Sequence, residues 1–165
     1  MGYSYSSIAG YVSGITEAQY KEGLKANAMA VKMFAWWCRS IYAKHKSEGA
    51  HVCNTTGCQV YSPNVTVTSE VTTAVNNVCN VGIRTDTGWI LFAQYLGTGS
   101  WSSANSSHTG VFYQKGAYYL AKQGNSYKDI LSYYYASVPT SIVAPYPAYP
   151  NTISRGALRF FTAIH

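Results

Sequence analysis

"TEAQYKEGLKANAMAVKMFAWWCRSIY", Thr16 to Tyr42, carries the pattern on which the fold turns. Thr16 followed by Gln19 is a capping box, in which the hydroxyl accepts from a free N–H of the first turn and the amide reaches back to the cap. A helix is predicted to begin there. Leu24, Ala28, Val31, Ala35, Cys38 and Tyr42 recur at steps of three and four and so share one face, while Met29, Met33, Trp36 and Trp37 cover much of the remainder. A helix apolar on so many sides is a central one. Its polar relief is the row Lys25, Lys32, Arg39 and Lys46 at seven-residue steps, which drift only about 20° per heptad around an α-helix. That row is either a solvated face or a face turned to an anionic ligand.

Toward the amino terminus, residues 3 to 15 alternate loosely through Tyr3, Tyr5, Ile8, Tyr11 and Ile15, which predicts a strand or an extended amino-terminal arm. Toward the carboxyl terminus, a polar loop with two cysteines leads to "TSEVTTAVNNVCNVG". There Val71, Ala74, Val75 and Val78 make one helical face, with Ser69 as cap and Gly82 as stop. "IRTDTGWILFAQYLG" is two β-rich runs around Asp86-Thr87-Gly88, a hairpin signal. Residues 97 to 107, rich in Gly, Ser and Asn, predict a loop. "GAYYLAKQGNSYKDILSYYY" then predicts a short helix over 114–122, a turn at Gly124 and another helix from Ser126. The Ser126 hydroxyl is backed by Asp129 three residues on, and Tyr127, Ile130, Leu131 and Tyr134 make the buried face. Prolines at 139, 145, 147 and 150 forbid helix and predict an extended surface strap, the Pro-rich tail of residues 136–165. This order of elements implies an α+β domain.

Composition bounds the function. A chain of 165 residues with 47% hydrophobic and 11% charged side chains suits one well-buried core, so residues 1–165 are expected to form a single domain. No stretch approaches the roughly 20 apolar residues of a membrane span, and the Ser-, Gly- and Tyr-rich start is not a signal peptide. Sixteen Tyr, few charges and an even cysteine count favour an extracellular or cell-surface protein. Asn54, Asn64 and Asn105 lie in Asn-x-Ser/Thr triplets, which chance explains as well as glycosylation does. A formal charge of +6 favours an anionic polymer as partner, whether cell-wall polymer, nucleic acid or acidic glycan, and charge alone does not choose among them. No Ser-His-Asp order, phosphate-cradling loop or specific nucleic-acid motif is present.

Cys53 and Cys58 enclose four residues, a spacing that suits a small disulfide loop or half of a zinc site, with His51 near enough to join a metal. A complete four-ligand set is not visible. The simplest arrangement is Cys53 to Cys58 and Cys38 to Cys79, with a metal or free thiols as the alternatives. The expectation is no metal and no other cofactor. His45 and His165 have no evident partner and read as surface residues.

"GLKANAMAVKMFAWW", "GCQVY", "AVNNVCNVGIRTDTGWILFAQY" and "HTGVFYQKGAYYLAKQGNSYKDILSYYY" resemble, in order, successive blocks of the SpoIID family, the stage II sporulation protein D and amidase-enhancer domain of bacterial cell-wall proteins. The likeness covers roughly residues 10–135, leaving 136–165 as an added tail. It implies a compact α+β domain and peptidoglycan chemistry of the lytic-transglycosylase type, in which one Glu protonates the glycosidic oxygen and then acts as base. Such a carboxyl keeps its proton by burial against apolar neighbours.

Counted without gaps from Tyr11 and Gly14, the family's catalytic position falls on Gln19, with Glu17 two residues early. Glu17 is therefore the candidate acid and base, and its competing role is a first-turn carboxylate favoured by the helix dipole. Glu22 corresponds to the Glu that opens the long helix in the family. In the closing block the family's glycines have become Ser107-His108-Thr109 and Val111-Phe112-Tyr113, while His108 and Gln114 are retained. The resemblance places Lys25, Lys32, His108, Gln114 and Tyr118 at the substrate. Three expectations follow: an enzyme acting through Glu17, a noncatalytic wall-binding domain that uses the same groove, or a structural, self-assembling subunit. The last would form a homo-oligomer through the amino-terminal arm or the run "GALRFFTAIH".

Overall fold

A computed structural model describes residues 4–41, 44–60, 64, 66–105, 110–136 and, as backbone, 140–143. Where a strand was expected over 3–15, the chain forms helix α1, Tyr5–Tyr11. Ser4 caps it, its hydroxyl accepting from the Ser7 N–H at 3.2 Å. The apolar positions Tyr5, Ile8, Val12 and Ile15 are three or four apart, so a helix and the turn after it gather Ile8, Val12 and Ile15 into the core. Tyr5 closes this corner by donating to the Ile15 carbonyl at 3.1 Å.

Helix α2, Glu17–Ser40, begins at the expected capping box, with both reciprocal bonds between Thr16 and Gln19 made. It touches every other helix of the fold. Gly23 explains how closely its neighbour can lie: a Cβ there would sit 2.6 Å from a ring carbon of Tyr118. Tyr118 in turn stacks on Tyr20 with centroids 5.8 Å apart, and both rings are fully buried.

Helix α3, Ser69–Val78, buries the predicted face Val71, Ala74, Val75 and Val78, and its cap is Thr68, one residue before the expected Ser69. Helices α4, Gln114–Lys122, and α5, Tyr127–Tyr134, form the predicted closing pair. Gly124, at φ +93°, makes the turn between them. Ser126 and Asp129 make a full capping box for α5.

The strands depart from a simple hairpin. Strand β1, Gly82–Thr85, turns at Asp86-Thr87-Gly88, and the returning chain bonds back through the Thr85 N–H to the Trp89 carbonyl at 2.9 Å. Only an isolated bridge, Arg84 to Ile90, follows. The chain then swings away, and strand β2, Gln94–Leu96, pairs in parallel with strand β3, Val111–Tyr113. The free edge of β1 is taken by strand β4, Thr140–Val143, antiparallel, with Gly82 opposite Val143. Part of the expected surface strap is thus a sheet strand, while the run "GALRFFTAIH" lies outside the described residues. The result is a compact α+β fold with two two-stranded sheets against the helices and an aromatic core of Tyr20, Phe112, Tyr118, Tyr134 and Tyr135. Among the described residues no helix is long and apolar enough to cross a membrane.

Candidate functional site

Helices α2 and α3 face each other with polar ridges, one on the amino-terminal part of α2 and one along the length of α3. On α2 the ridge is Glu17, Lys21, Glu22 and Lys25, and on α3 it is Ser69, Glu70, Thr73 and Asn77. Steps of three and four residues keep each ridge on one side of its helix. Between them lies a cleft of about 450 Å³. Exposed Ala18 and buried Ala74 line it with small side chains, which leaves the space open.

The charges on these walls are arranged in pairs. Lys21 meets Glu17 at 2.7 Å, and Lys25 meets Glu22 at 2.5 Å. Glu22 also accepts from the Tyr127 N–H at 2.8 Å, which ties α2 to the start of α5. Across the cleft, Glu70 is held below the usual carboxylate range by its own backbone N–H and the Thr68 hydroxyl, with smaller help from Ser69 and from Lys21 on the opposite wall. Three carboxylates and two ammonium groups therefore line one polar groove, rich in both donors and acceptors.

Of the residues expected at the substrate, the structure brings Glu17 and Lys25 together in this cleft. Glu17 has 61% of its side chain exposed and is ion-paired at the positive end of α2. The burial by which a general acid retains its proton is lacking there.

Lys32 does not face the cleft. It is 4% exposed, lies 4.9 Å over the Trp36 ring, and donates to the Val78 and Val81 carbonyls. The basic row of the sequence is broken because the carboxyl end of α3 abuts α2 there, and those carbonyls need a donor. Burial pulls the Lys32 ammonium down to about 8, against a smaller upward pull from Cys79.

Gln114 and Tyr118 are also core residues. The main-chain carbonyl of Gln114 accepts from Asn27 at 3.3 Å, and Tyr118 packs over Gly23. His108 lies outside the described residues. Glu70, absent from the sequence-based set, was signalled by its place after Thr68-Ser69 at a helix start.

The cysteines depart from the expected pairing, since all four are free thiols. Cys38 and Cys79 are held in different surroundings. Burial, with smaller contributions from Cys58 and Cys53, pushes the Cys38 thiol up to about 11. Cys79 is exposed and donates to the Asn76 carbonyl. Cys53 and Cys58 do approach each other, but in the company of His45 rather than His51: one ligand atom from each of the three lies within 4.8 Å of the others. His45 Nε2 stands 3.3 Å from Cys58 Sγ, and its Nδ1 stands 3.0 Å from the Glu48 carboxylate. The Thr55 hydroxyl foremost, then Cys58 and His45, draw the Cys53 thiol down to about 7. Reading His45 as a surface residue missed this cluster.

No family model, no curated protein and no solved structure matches the chain.

Proposed function

We propose that this chain is a divergent SpoIID-like domain of an exported protein that holds bacterial cell-wall glycan in the α2–α3 cleft, as a binding domain and not as an active transglycosylase. The observation that carries the reading is the cleft itself, about 450 Å³ between two polar ridges. A glycan presents hydroxyls and amides that need donors and acceptors in alternation, and Lys21, Lys25, Thr73 and Asn77 interleaved with Glu17, Glu22 and Glu70 offer both. The succession of capped long helix, second helix, strands and closing helix pair supports the resemblance drawn from the sequence blocks. Glu17, exposed and bonded to Lys21, supports binding over catalysis.

The test is cosedimentation of the protein with bare peptidoglycan strands, with mass spectrometry on the supernatant. The expected result is retention on the strands, weakened by Lys21→Glu with Lys25→Glu, and no anhydromuramoyl ends. Anhydromuramoyl products from the parent that vanish in Glu17→Gln would restore the enzyme. A second reading, a structural subunit, is favoured by the exposure of the large apolar side chain Trp89 at 63%, with Phe92 and Leu96 also exposed. Absence of binding together with large assemblies in sedimentation velocity would establish that reading instead.

A further inference from the structure

Aromatic rings run in a continuous series from the core to the surface beside α4. Tyr20 lies on Tyr118 with centroids 5.8 Å apart, and Tyr118 meets Trp101 of the 97–105 loop at 6.1 Å. Trp101 is covered in turn by Tyr11 at 4.9 Å, with the two planes only 7° apart. Tyr20 and Tyr118 are buried, whereas Tyr11 at the end of the series is 62% exposed. Tyr11 closes α1, and the next residue, Val12, enters the core at 3% exposure, so the backbone is anchored while the tyrosine ring stays outside. Stacking therefore fixes this ring without burying it. One face rests on Trp101, and the ring presents a rigid, flat apolar surface to water.

The polar groups around the series are of one kind. The Lys115 ammonium stands 5.3 Å over the Trp101 ring, and the hydroxyls of Ser100 and Ser102, 2.8 Å apart, flank Trp101 in the chain. Neither α1 nor the 97–105 loop nor α4 contains an Asp or Glu, in contrast to the three carboxylates of the α2–α3 cleft. Lys115 also stands in the first turn of α4, which has no acidic residue there and no side-chain cap. A positive charge at the positive end of a helix dipole weakens the helix locally. The same charge would attract an anion.

We propose that Tyr11, Trp101 and Lys115 form a second ligand surface, separate from the α2–α3 cleft, which takes a carboxylated pyranose of an acidic polysaccharide. The C–H face of a pyranose is flat and apolar and lies on Tyr11, Lys115 supplies the counter-charge to the carboxylate, and Ser100 and Ser102 meet the sugar hydroxyls. Single-stranded nucleic acid also stacks on exposed rings, but its phosphates need a track of several cations. Among the described residues one ammonium, that of Lys115, is placed over these rings. The surface shares no residue with the cleft, so the inference goes beyond the cleft reading and does not depend on it.

The test is calorimetric titration of the whole chain with an oligogalacturonate, with its methyl-esterified, uncharged form and an oligothymidylate as comparison ligands. The expected result is binding of the acidic oligomer in preference to both. Tyr11→Ala should weaken it by about 10-fold, the scale of losing one aromatic stacking partner, and Tyr11→Phe should restore it. Lys115→Gln should weaken it and reduce its salt dependence, whereas Lys128→Gln, which removes the same charge from an exposed position on α5, should leave it unchanged. Far-ultraviolet circular dichroism would report whether each variant keeps its helices. The proposal is overturned if the acidic oligomer does not bind, if folded Tyr11→Ala and Lys115→Gln bind it as the parent does, or if oligothymidylate binds more tightly. Binding lost in Lys25→Gln but not in Tyr11→Ala would assign the acidic sugar to the cleft, overturning the second surface and leaving the cleft reading in place.

Discussion

At the amino end of α2 the charged side chains have satisfied one another, Glu17 with Lys21 and Glu22 with Lys25, around a cleft between two packed helices. Beyond its carboxyl end, two thiols and an imidazole converge in a segment with little apolar support. The amino end is held by caps, ion pairs and the packing of α2 on a buried aromatic core, so it has shape without any ligand and its ion pairs are each worth little alone. Past the carboxyl end the chain is held by its own turns and by the Lys44 ammonium on the Gly57 carbonyl, with only Cys58 and Gln59 buried. One helix thus presents a cleft of paired charges at one end and a cluster of thiols and imidazole, with little apolar support, beyond the other.

The contrast breaks most visibly in the core where α4 packs on α2. Tyr118→Ala removes a fully buried ring that stacks on Tyr20 and covers Gly23. Urea denaturation should show a loss of about 3–5 kcal/mol, the range for emptying a large aromatic site. A loss under 1 kcal/mol would mean that α2 and α4 do not pack as described.

Lys32 gives the next largest effect. Lys32→Met leaves the Val78 and Val81 carbonyls without their donor, and should cost about 1–3 kcal/mol in the same measurement. The pH dependence carries a second signature. The folded state holds the Lys32 ammonium at about 8 rather than the ordinary 10.5, so between these values the unfolded chain binds more protons. Stability should therefore rise as pH climbs from about 8 toward 10, and this rise should flatten in Lys32→Met. Tyr20, raised to about 12 by burial and by the Glu70 carboxylate, works in the opposite sense. Its stabilising contribution is full below pH 10 and is lost as pH passes through its folded value.

Asp129→Ala sharpens the comparison at a smaller scale, because it removes half of the α5 capping box while touching neither end of α2. Thermal denaturation should register a loss of about 1 kcal/mol. Glu17→Gln should have the least effect, within about 0.5 kcal/mol, since the side chain is 61% exposed. A larger loss would show that the Glu17–Lys21 pair holds the cleft open.

Helices α2, α3 and α5 were legible because each announces itself locally. Thr16 with Gln19 and Ser126 with Asp129 are reciprocal caps, and the valines of α3 keep helical spacing. Residues 5–11 misled because Tyr5, Ile8 and Tyr11 satisfy a loose alternation as well as a three-residue step, and Ser4 ahead of them was the deciding signal. Tertiary facts were hidden. Nothing local to Lys32 says that the end of α3 will lie against it, and nothing near Gln94 or Val111 says that these runs pair in parallel across a loop. At the candidate site, Glu17 and Lys25 were within reach of pattern reading, whereas Glu70 joins them only through the packing of α3 on α2. His45 was overlooked because its partners follow it by eight and thirteen positions, beyond any helical or strand period.

The most direct test of the account is a titration of ¹⁵N-labelled, reduced protein with soluble peptidoglycan fragments, read by amide chemical shifts. The account predicts shifts concentrated on the two ridges, at Lys21, Glu22, Lys25, Thr73 and Asn77, with the amides of 45–58 unmoved. Shifts that fall on 45–58 instead, or no shifts at saturating fragment, would contradict the cleft as the glycan site.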